Sequence, residues 1–382
     1  MRCIQRNKCI ISDDDNLETL SNVKYPIFCG CTEEDANNDI LANENIVISK
    51  KYGVIQLKEL IPLEILYKKG HDSGAIGGIW MEHHKQFSDF VVKFNPKNVL
   101  EIGGGNGILA NNCININNNI SWTIIEPNPN ENNDKIKYIK SFFNKTYLLD
   151  SSFDTVIHSH TLEHIYNPNE FLHEISDSLN GGGYMIFSIP NLKKYLENKW
   201  INYLSFEHTI LLTEGVIDYL LNKNKFKVIE KKYFTEHSIF YCCKKDISID
   251  CNKLVLKDEY CENKKLFENM QKFYKDKIID LNSKMKDYDE VYLFGAHIFS
   301  QYLIYRGLNI DNICGILDNN INKHNKRLYG TNLQVYSPNI LTNKKNKILV
   351  ILNAGIYNEE IRKKIEENMN FNINFYNISK EK

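Results

Sequence analysis

Short apolar runs closed by turn residues recur through the middle of the chain: VLEI at 99–102, TIIE at 123–126, TVIHS at 155–159 and YMIFSI at 184–189. Such runs read as strands of a parallel sheet buried on both faces. Helical spacing separates them. Trp80, His84, Phe87, Phe90 and Val91 fall on one face of a helix over 76–94, and FLHEISDSL at 171–179 repeats the pattern. Strand–helix alternation predicts an α/β, doubly wound, Rossmann-like core over 76–245. FKVIEKKYF and HSIFYCCKK near its end read as an antiparallel pair closing the sheet. A lysine-rich helical connector over about 262–286 leads to a second α/β set, with strands at VYLFG 291–295, NICGILD 312–318 and KILVILN 347–353. This predicts a smaller Rossmann-like domain over 246–382. Residues 1–75 read as a loop-rich head whose clearest strand is GVIQL at 53–57.

With 382 residues the chain is long enough for this three-part division. Its 42% hydrophobic and 25% charged residues are those of an ordinary globular protein, and its net charge of −1 offers no basic footprint for nucleic acid. A small-molecule substrate is the expectation. No apolar run approaches the ~20 residues that span a bilayer, and MRCIQRNKCIISDDDN lacks the apolar stretch of a signal peptide. A cytoplasmic location is therefore expected. The abundance of Asn, Lys and Ile is a compositional bias without functional meaning.

The sharpest chemical signal is Val99-Leu-Glu-Ile-Gly-Gly-Gly-Asn-Gly107, a strand running into a glycine-rich turn. Gly103, Gly105 and Gly107 let the backbone turn tightly and approach a ligand closely. Glu101, at the strand end, is placed to accept a hydrogen bond or to counter a cationic ligand. Glu126, followed by Pro127, ends the next strand, where a carboxylate binds both ribose hydroxyls of a nucleotide-type cofactor. A nicotinamide cofactor would use the same device. FGAHIFSQ at 294–301 in the third domain does not supply one, because His297 and Gln301 stand where a dinucleotide loop needs glycines. His208, in Phe206-Glu-His208, lies past the fourth core strand, over the carboxyl edge where such folds bind ligands. Histidine is suited to act as a base at neutral pH. Glu207 is placed to orient its ring. His160 and Thr161 are candidates to line the cofactor pocket, with Met81 beside them, and Tyr67, His84 and His164 are candidates to face substrate. Cys3, Cys9, Cys29 and Cys31 cluster in the head, but their spacing is not that of paired C-x-x-C knuckles.

The E-x-G-x-G turn, the acidic strand end, FD-x-V at 153–156, LEH at 162–164 and the GG turn before a strand ending in Pro190-Asn191 resemble class I S-adenosylmethionine-dependent methyltransferases. The whole layout resembles sugar C-methyltransferases acting on nucleotide-linked deoxysugars. Those have a zinc-bearing head, a methyltransferase core and a C-terminal Rossmann-like domain. The markers are SKKYGVIQL at 49–57, YKKGHDSG at 67–74, WMEHH at 80–84, EIGGGNG, and FEH at 206–208. In the third domain they are FGA at 294–296, LDN at 317–319 with Lys323, Ser337-Pro338, and Asn353 with Tyr357 and Glu360-Ile361. The resemblance implies S-adenosylmethionine as cofactor and Glu207–His208 as the catalytic pair.

Two departures shape the expectation. Ser49 and Tyr52 stand where the family has its second pair of cysteines, so no zinc is expected. Phe206, Thr209 and Ile210 flank Glu207–His208 where the family keeps a tyrosine as partner acid–base group. The sequence thus leans towards O-methylation of a hydroxyl on a nucleotide-linked sugar, a deoxysugar or heptose, for surface or capsule polysaccharide. C-methylation of a keto-deoxysugar is the alternative. A non-catalytic nucleotide-sugar-binding protein is the reading from another class, opposed by the intact cofactor loop.

Overall fold

The computed structural model describes residues 1–68, 77–129, 133–149, 153–179, 182–342, 344–367 and 373–378. Most of the YKKGHDSG segment lies outside the described residues.

The core is a seven-stranded sheet in the order Phe226–Phe234, Ser238–Lys245, Tyr184–Pro190, Thr155–Ser159, Asn98–Ile102, Ser121–Glu126, Ile136–Lys140. The last five are mutually parallel; the first two run antiparallel as a hairpin edge. Val99, Leu100, Val156, Ile157, Met185, Ile186 and Phe187 are completely shielded. That is the pattern of a sheet covered on both faces, which accounts for the unbroken apolar runs. Helix Gly78–Val92 packs on helix Ile108–Ile116 through Phe87, Phe90, Leu109 and Cys113. His158 belongs to this interior. Its ring stacks on Phe187 at 4.8 Å and meets Phe171 at 5.6 Å, fully buried between them.

The third domain is an all-parallel sheet in the order Val335–Tyr336, Ile313–Leu317, Glu290–Phe294, Ile348–Leu352, Ile373–Asn377. It follows helix Tyr260–Lys284, whose Phe267, Met270, Tyr274, Ile278 and Leu281 face inward.

The head is more regular than its sequence indicates. Leu17–Pro26, Leu41–Ser49 and Ile55–Leu57 form an antiparallel sheet, completed by Ile210–Leu211 from the core segment. Polar residues inside these strands conceal the pattern. Glu44 is buried against Arg306 of the third domain, and Gln56 is buried with its amide donating to the Lys8 carbonyl at 2.9 Å. Ser49, standing at a cysteine position of the family, donates to Asp14 at 2.8 Å and accepts from the Tyr52 N–H at 3.3 Å. Cys31 pairs in register with Leu328 and donates to the Ala296 carbonyl at 3.5 Å, while Cys3 lies beside the short strand Ile4–Gln5 that pairs with Glu59–Leu60.

Candidate active site

The glycine turn follows from its own sterics. Gly103, Gly105 and Gly107 all have positive φ, at 75°, 51° and 67°. A side chain at Gly103 would meet the Thr161 hydroxyl at 2.8 Å, and one at Gly104 would meet the Glu101 carboxyl at the same distance. Gly105 differs, because a Cβ there would enter open space. The turn is therefore packed from below and open above one glycine, which is a cradle for a ligand.

Glu101 supports the turn from beneath. Its carboxylate accepts from the Trp122 indole N–H at 2.8 Å, and burial pushes its pKa up to about 7. Glu126 reaches over the turn: one oxygen accepts from the Gly105 N–H at 3.3 Å, the other from the Asn128 N–H at 3.1 Å. Its carboxylate sits half-buried at the sheet edge beside Pro127. Lone pairs beyond those two bonds can accept from a ligand diol. These features fit S-adenosylmethionine, with Gly105 admitting the ligand to the backbone and Glu126 available to its ribose. Thr161 donates to the Ile102 and Ser159 carbonyls at 3.3 and 3.2 Å, fastening the end of one strand beneath Gly103. Met81 is 74% exposed on its helix.

A second group gathers at the same sheet edge. His164 and His208 meet edge to face with ring centroids 4.7 Å apart. The Glu163 carboxylate, buried below them, has a ligating atom within 4.8 Å of one on each ring. Glu207 approaches His164 Nδ1 at 3.8 Å. The Tyr67 hydroxyl lies 3.3 Å from the same nitrogen, and burial, reinforced by Glu207, holds its pKa well above the usual phenol value. The turn at His208 is pinned from both sides. The Thr209 N–H donates to the Glu163 carbonyl at 3.0 Å, and the Thr209 carbonyl accepts from Leu57 of the head sheet at 3.0 Å and from Arg6 at 2.9 Å.

Beside this group lies a third, which the sequence did not reveal as a unit. Trp80 packs against His83, His84, His160 and His237 with ring centroids 4.8–5.9 Å apart. His83 bonds the Ser188 hydroxyl at 2.8 Å, His160 the Ser238 hydroxyl at 3.0 Å, and His237 that same hydroxyl at 2.6 Å. Desolvation pushes the pKa values of His83, His84, His160 and His237 down, that of His237 to about 4. His84 thus keeps company with Trp80, and His160 turns its ring towards Ser238. Ser238 and His237 lie more than 70 residues from His160, so only the antiparallel hairpin edge could have brought them together. The third domain reaches this edge too. A Cβ at Gly355 would lie 3.2 Å from the Trp200 indole, and Tyr357 lies against Trp80.

Family models match two stretches: a methyltransferase domain at residues 79–231 and a C-methyltransferase C-terminal domain at 257–377. No curated protein matches the sequence. Among solved structures, the chain is similar to an O-methyltransferase family protein from Burkholderia thailandensis (10% identity, 44% of this chain and 57% of that one, TM-score 0.35). It is also similar to the N-methyltransferase NodS from Bradyrhizobium japonicum WM9 (16% identity, 46% and 98%, TM-score 0.33). A third is the PH0226 protein from Pyrococcus horikoshii OT3 (13% identity, 45% and 93%, TM-score 0.36). Likenesses at this level speak to neither substrate nor mechanism. The chain covers little more than half of several matched structures, 57% of the first and 52% of a human N-acetylserotonin methyltransferase. Among the described residues no helix is long and apolar enough to cross a membrane. The glycine turn, the acidic strand end and the matched stretches lead to one identification: the chain carries a methyltransferase domain on a Rossmann-like α/β core, followed by a C-methyltransferase C-terminal domain.

Proposed function

We propose that the enzyme methylates a carbon beside a ketone on a nucleotide-linked sugar. The observation that carries this is the Tyr67 hydroxyl, 3.3 Å from His164 within the group formed by Glu163, Glu207 and His208. C-methylation first requires an enolate, which needs a base at carbon and a proton donor at the ketone oxygen. The residues flanking Glu207–His208 offer no tyrosine, and on that ground alone the sequence favours a hydroxyl acceptor. Tyr67 approaches from a distant segment and supplies the missing group. A phenol whose pKa is held high remains protonated and able to donate. The match of residues 257–377 to a C-methyltransferase domain points the same way.

In this reading His208 takes the proton from the acceptor carbon. Glu207, 3.8 Å from His164, orients the neighbouring imidazole, and Tyr67 donates to the developing oxyanion. Bound S-adenosylmethionine supplies an electrophilic methyl group. Gly103, Gly105 and Glu126 hold that cofactor, while Thr161 and Glu101 keep the turn in shape. The third domain, which approaches the core edge at Gly355 and Tyr357, holds the nucleotide portion. The resemblance to deoxysugar enzymes supports the sugar class and a role in surface polysaccharide.

Hydroxyl methylation is the second reading, favoured by Phe206, Thr209 and Ile210 around the catalytic pair. Deuterium exchange separates the two. dTDP-, GDP- and UDP-linked 4-keto-6-deoxyhexoses are incubated with the enzyme in D2O, then with labelled cofactor, and analysed by mass spectrometry. Carbon methylation predicts exchange beside the ketone before methyl transfer. A methylated product that keeps every carbon-bound hydrogen of the substrate would overturn it.

A further inference from the structure

Tyr67, His164 and His208 come from three separate chain segments, and one side chain of the head bonds two of them directly. Arg6 follows strand Ile4–Gln5, and its backbone N–H donates to the Lys58 carbonyl at 2.8 Å, fixing it to the head. One guanidinium nitrogen donates to the Thr209 carbonyl at 2.9 Å. The other donates to the Tyr166 carbonyl and, at 3.3 Å, to the Thr209 hydroxyl. Thr209 is the residue after His208, and Tyr166 lies two after His164. The same two residues spread the contact further. The Thr209 hydroxyl donates to the Ile165 carbonyl at 3.3 Å, and its N–H to the Glu163 carbonyl at 3.0 Å. The Tyr166 hydroxyl donates to the Ile61 carbonyl, just before helix Leu63–Leu66, which Tyr67 caps. Arg6 is 6% exposed, and its side-chain hydrogen bonds among the described residues go to neutral oxygens. Burial lowers its pKa only to about 10, so it stays charged at neutral pH. Burying a cation against neutral partners is costly, and a neutral amide would tie two loops together at less cost.

We propose that Arg6 is a positioning residue for the reaction: its fork sets the spacing of the turns that follow His164 and His208, and through them the seat of both rings beside Tyr67. This rests on the reading in which Tyr67, His164 and His208 serve the chemistry. A guanidinium holds its donors in one rigid plane. The two carbonyls it bonds therefore cannot drift apart without loss of a charge-assisted hydrogen bond, the stronger kind. What it fixes is visible at the rings, whose centroids lie 4.7 Å apart, and at the Tyr67 hydroxyl, 3.3 Å from His164 Nδ1. A base has to sit within hydrogen-bond reach of the proton it removes, and misplacement by about 1 Å costs on the order of 10²-fold in rate. The glycine turn is held by other groups, Glu126 on the Gly105 N–H and Thr161 beneath Gly103, so cofactor affinity is independent of Arg6.

Arg6→Met removes the fork, and Arg6→Lys keeps the charge but gathers it at one point. With the dTDP-, GDP- or UDP-linked keto-sugar that supports turnover, Arg6→Met should lose about 10²-fold in kcat. KM for the sugar and the dissociation constant of S-adenosylmethionine should stay within about threefold of wild type, the split expected when only the reacting geometry is disturbed. Arg6→Lys should lose about tenfold despite its charge, because a lysine cannot span both carbonyls. Millimolar guanidinium chloride, far below denaturing concentrations, should restore part of kcat to Arg6→Met and leave wild type unchanged. A second measurement needs no substrate. In protein with labelled histidine, the nuclear Overhauser contact between the His164 and His208 rings should be present in wild type, lost in Arg6→Met and weakened in Arg6→Lys. If Arg6→Met does not fold, Arg6→Lys decides by both readouts. Wild-type kcat, an intact ring contact, or a kcat loss matched by an equal loss of cofactor binding overturns the proposal. If wild type shows no exchange beside the ketone, the keto-sugar reading has failed, and the ring contact still decides the role of Arg6 by itself.

Discussion

Glu101 gives the most quantitative test of the cofactor turn. Its side chain is 2% exposed, wedged beneath Gly104, with one described donor, the Trp122 indole at 2.8 Å. Burial opposes ionisation more strongly than that single bond favours it, so the folded-state pKa rises from 4.5 to about 7. The sign follows by linkage. A carboxyl whose pKa is raised by folding stabilises fully below the unfolded value and loses that contribution as pH climbs to the folded value. The shift of about 2.5 units corresponds to about 3 kcal/mol at ~1.4 kcal/mol per unit, lost progressively between pH 4.5 and 7. Glu101→Gln keeps the shape and an acceptor for Trp122 but cannot ionise. It should match wild type near pH 4.5 and be more stable by about 2–3 kcal/mol at pH 8. At roughly 2–4 °C per kcal/mol for a domain of this size, melting should rise by several degrees. The assay is thermal unfolding of both proteins from pH 4.5 to 8, reading the difference between them so that Glu44, also raised to about 7, cancels. Parallel curves over the whole range would refute the claim that an ionised carboxylate is strained beneath the turn.

Glu126→Ala should weaken S-adenosylmethionine binding by about 10²- to 10³-fold in calorimetry, since two charge-assisted hydrogen bonds to a diol are lost; normal binding would dismiss its role. Gly105→Val should abolish binding while leaving the melting temperature close to wild type apart from the strain of its positive φ, because the added side chain fills the cradle and not the core. His208→Ala should retain cofactor affinity and lose roughly 10²- to 10⁴-fold in turnover, and Glu207→Gln should lose less. Tyr67→Phe should suppress exchange beside the ketone more than cofactor binding, and equal effects on both would remove it from the chemistry. Protein purified without chelators should contain no stoichiometric zinc; one zinc per chain by elemental analysis would overturn that expectation.

Much of the core could be read from local pattern. A strand buried on both faces must be apolar throughout, so the four core runs declared themselves, and Gly103, Gly105 and Gly107 stand where only a left-handed turn makes sense of them. Glu126 follows from its place at the next strand end. The head sheet did not declare itself, because Glu44 and Gln56 are buried through partners in other parts of the chain and break the alternation a strand should show. Tyr67 was legible as a candidate, but not its pairing with His164, 97 positions further along the chain. Nor was the contact of His160 with Ser238, since the Ser238–Lys245 strand joins the sheet antiparallel beside Tyr184–Pro190 and thereby sets Ser238 opposite Pro190, within reach of His160. Period and turn chemistry are properties of neighbouring residues, and the sequence carries them openly. Which side chains meet at the sheet's edge depends on strand order and register, and these are fixed only when the burial of all the layers is satisfied together.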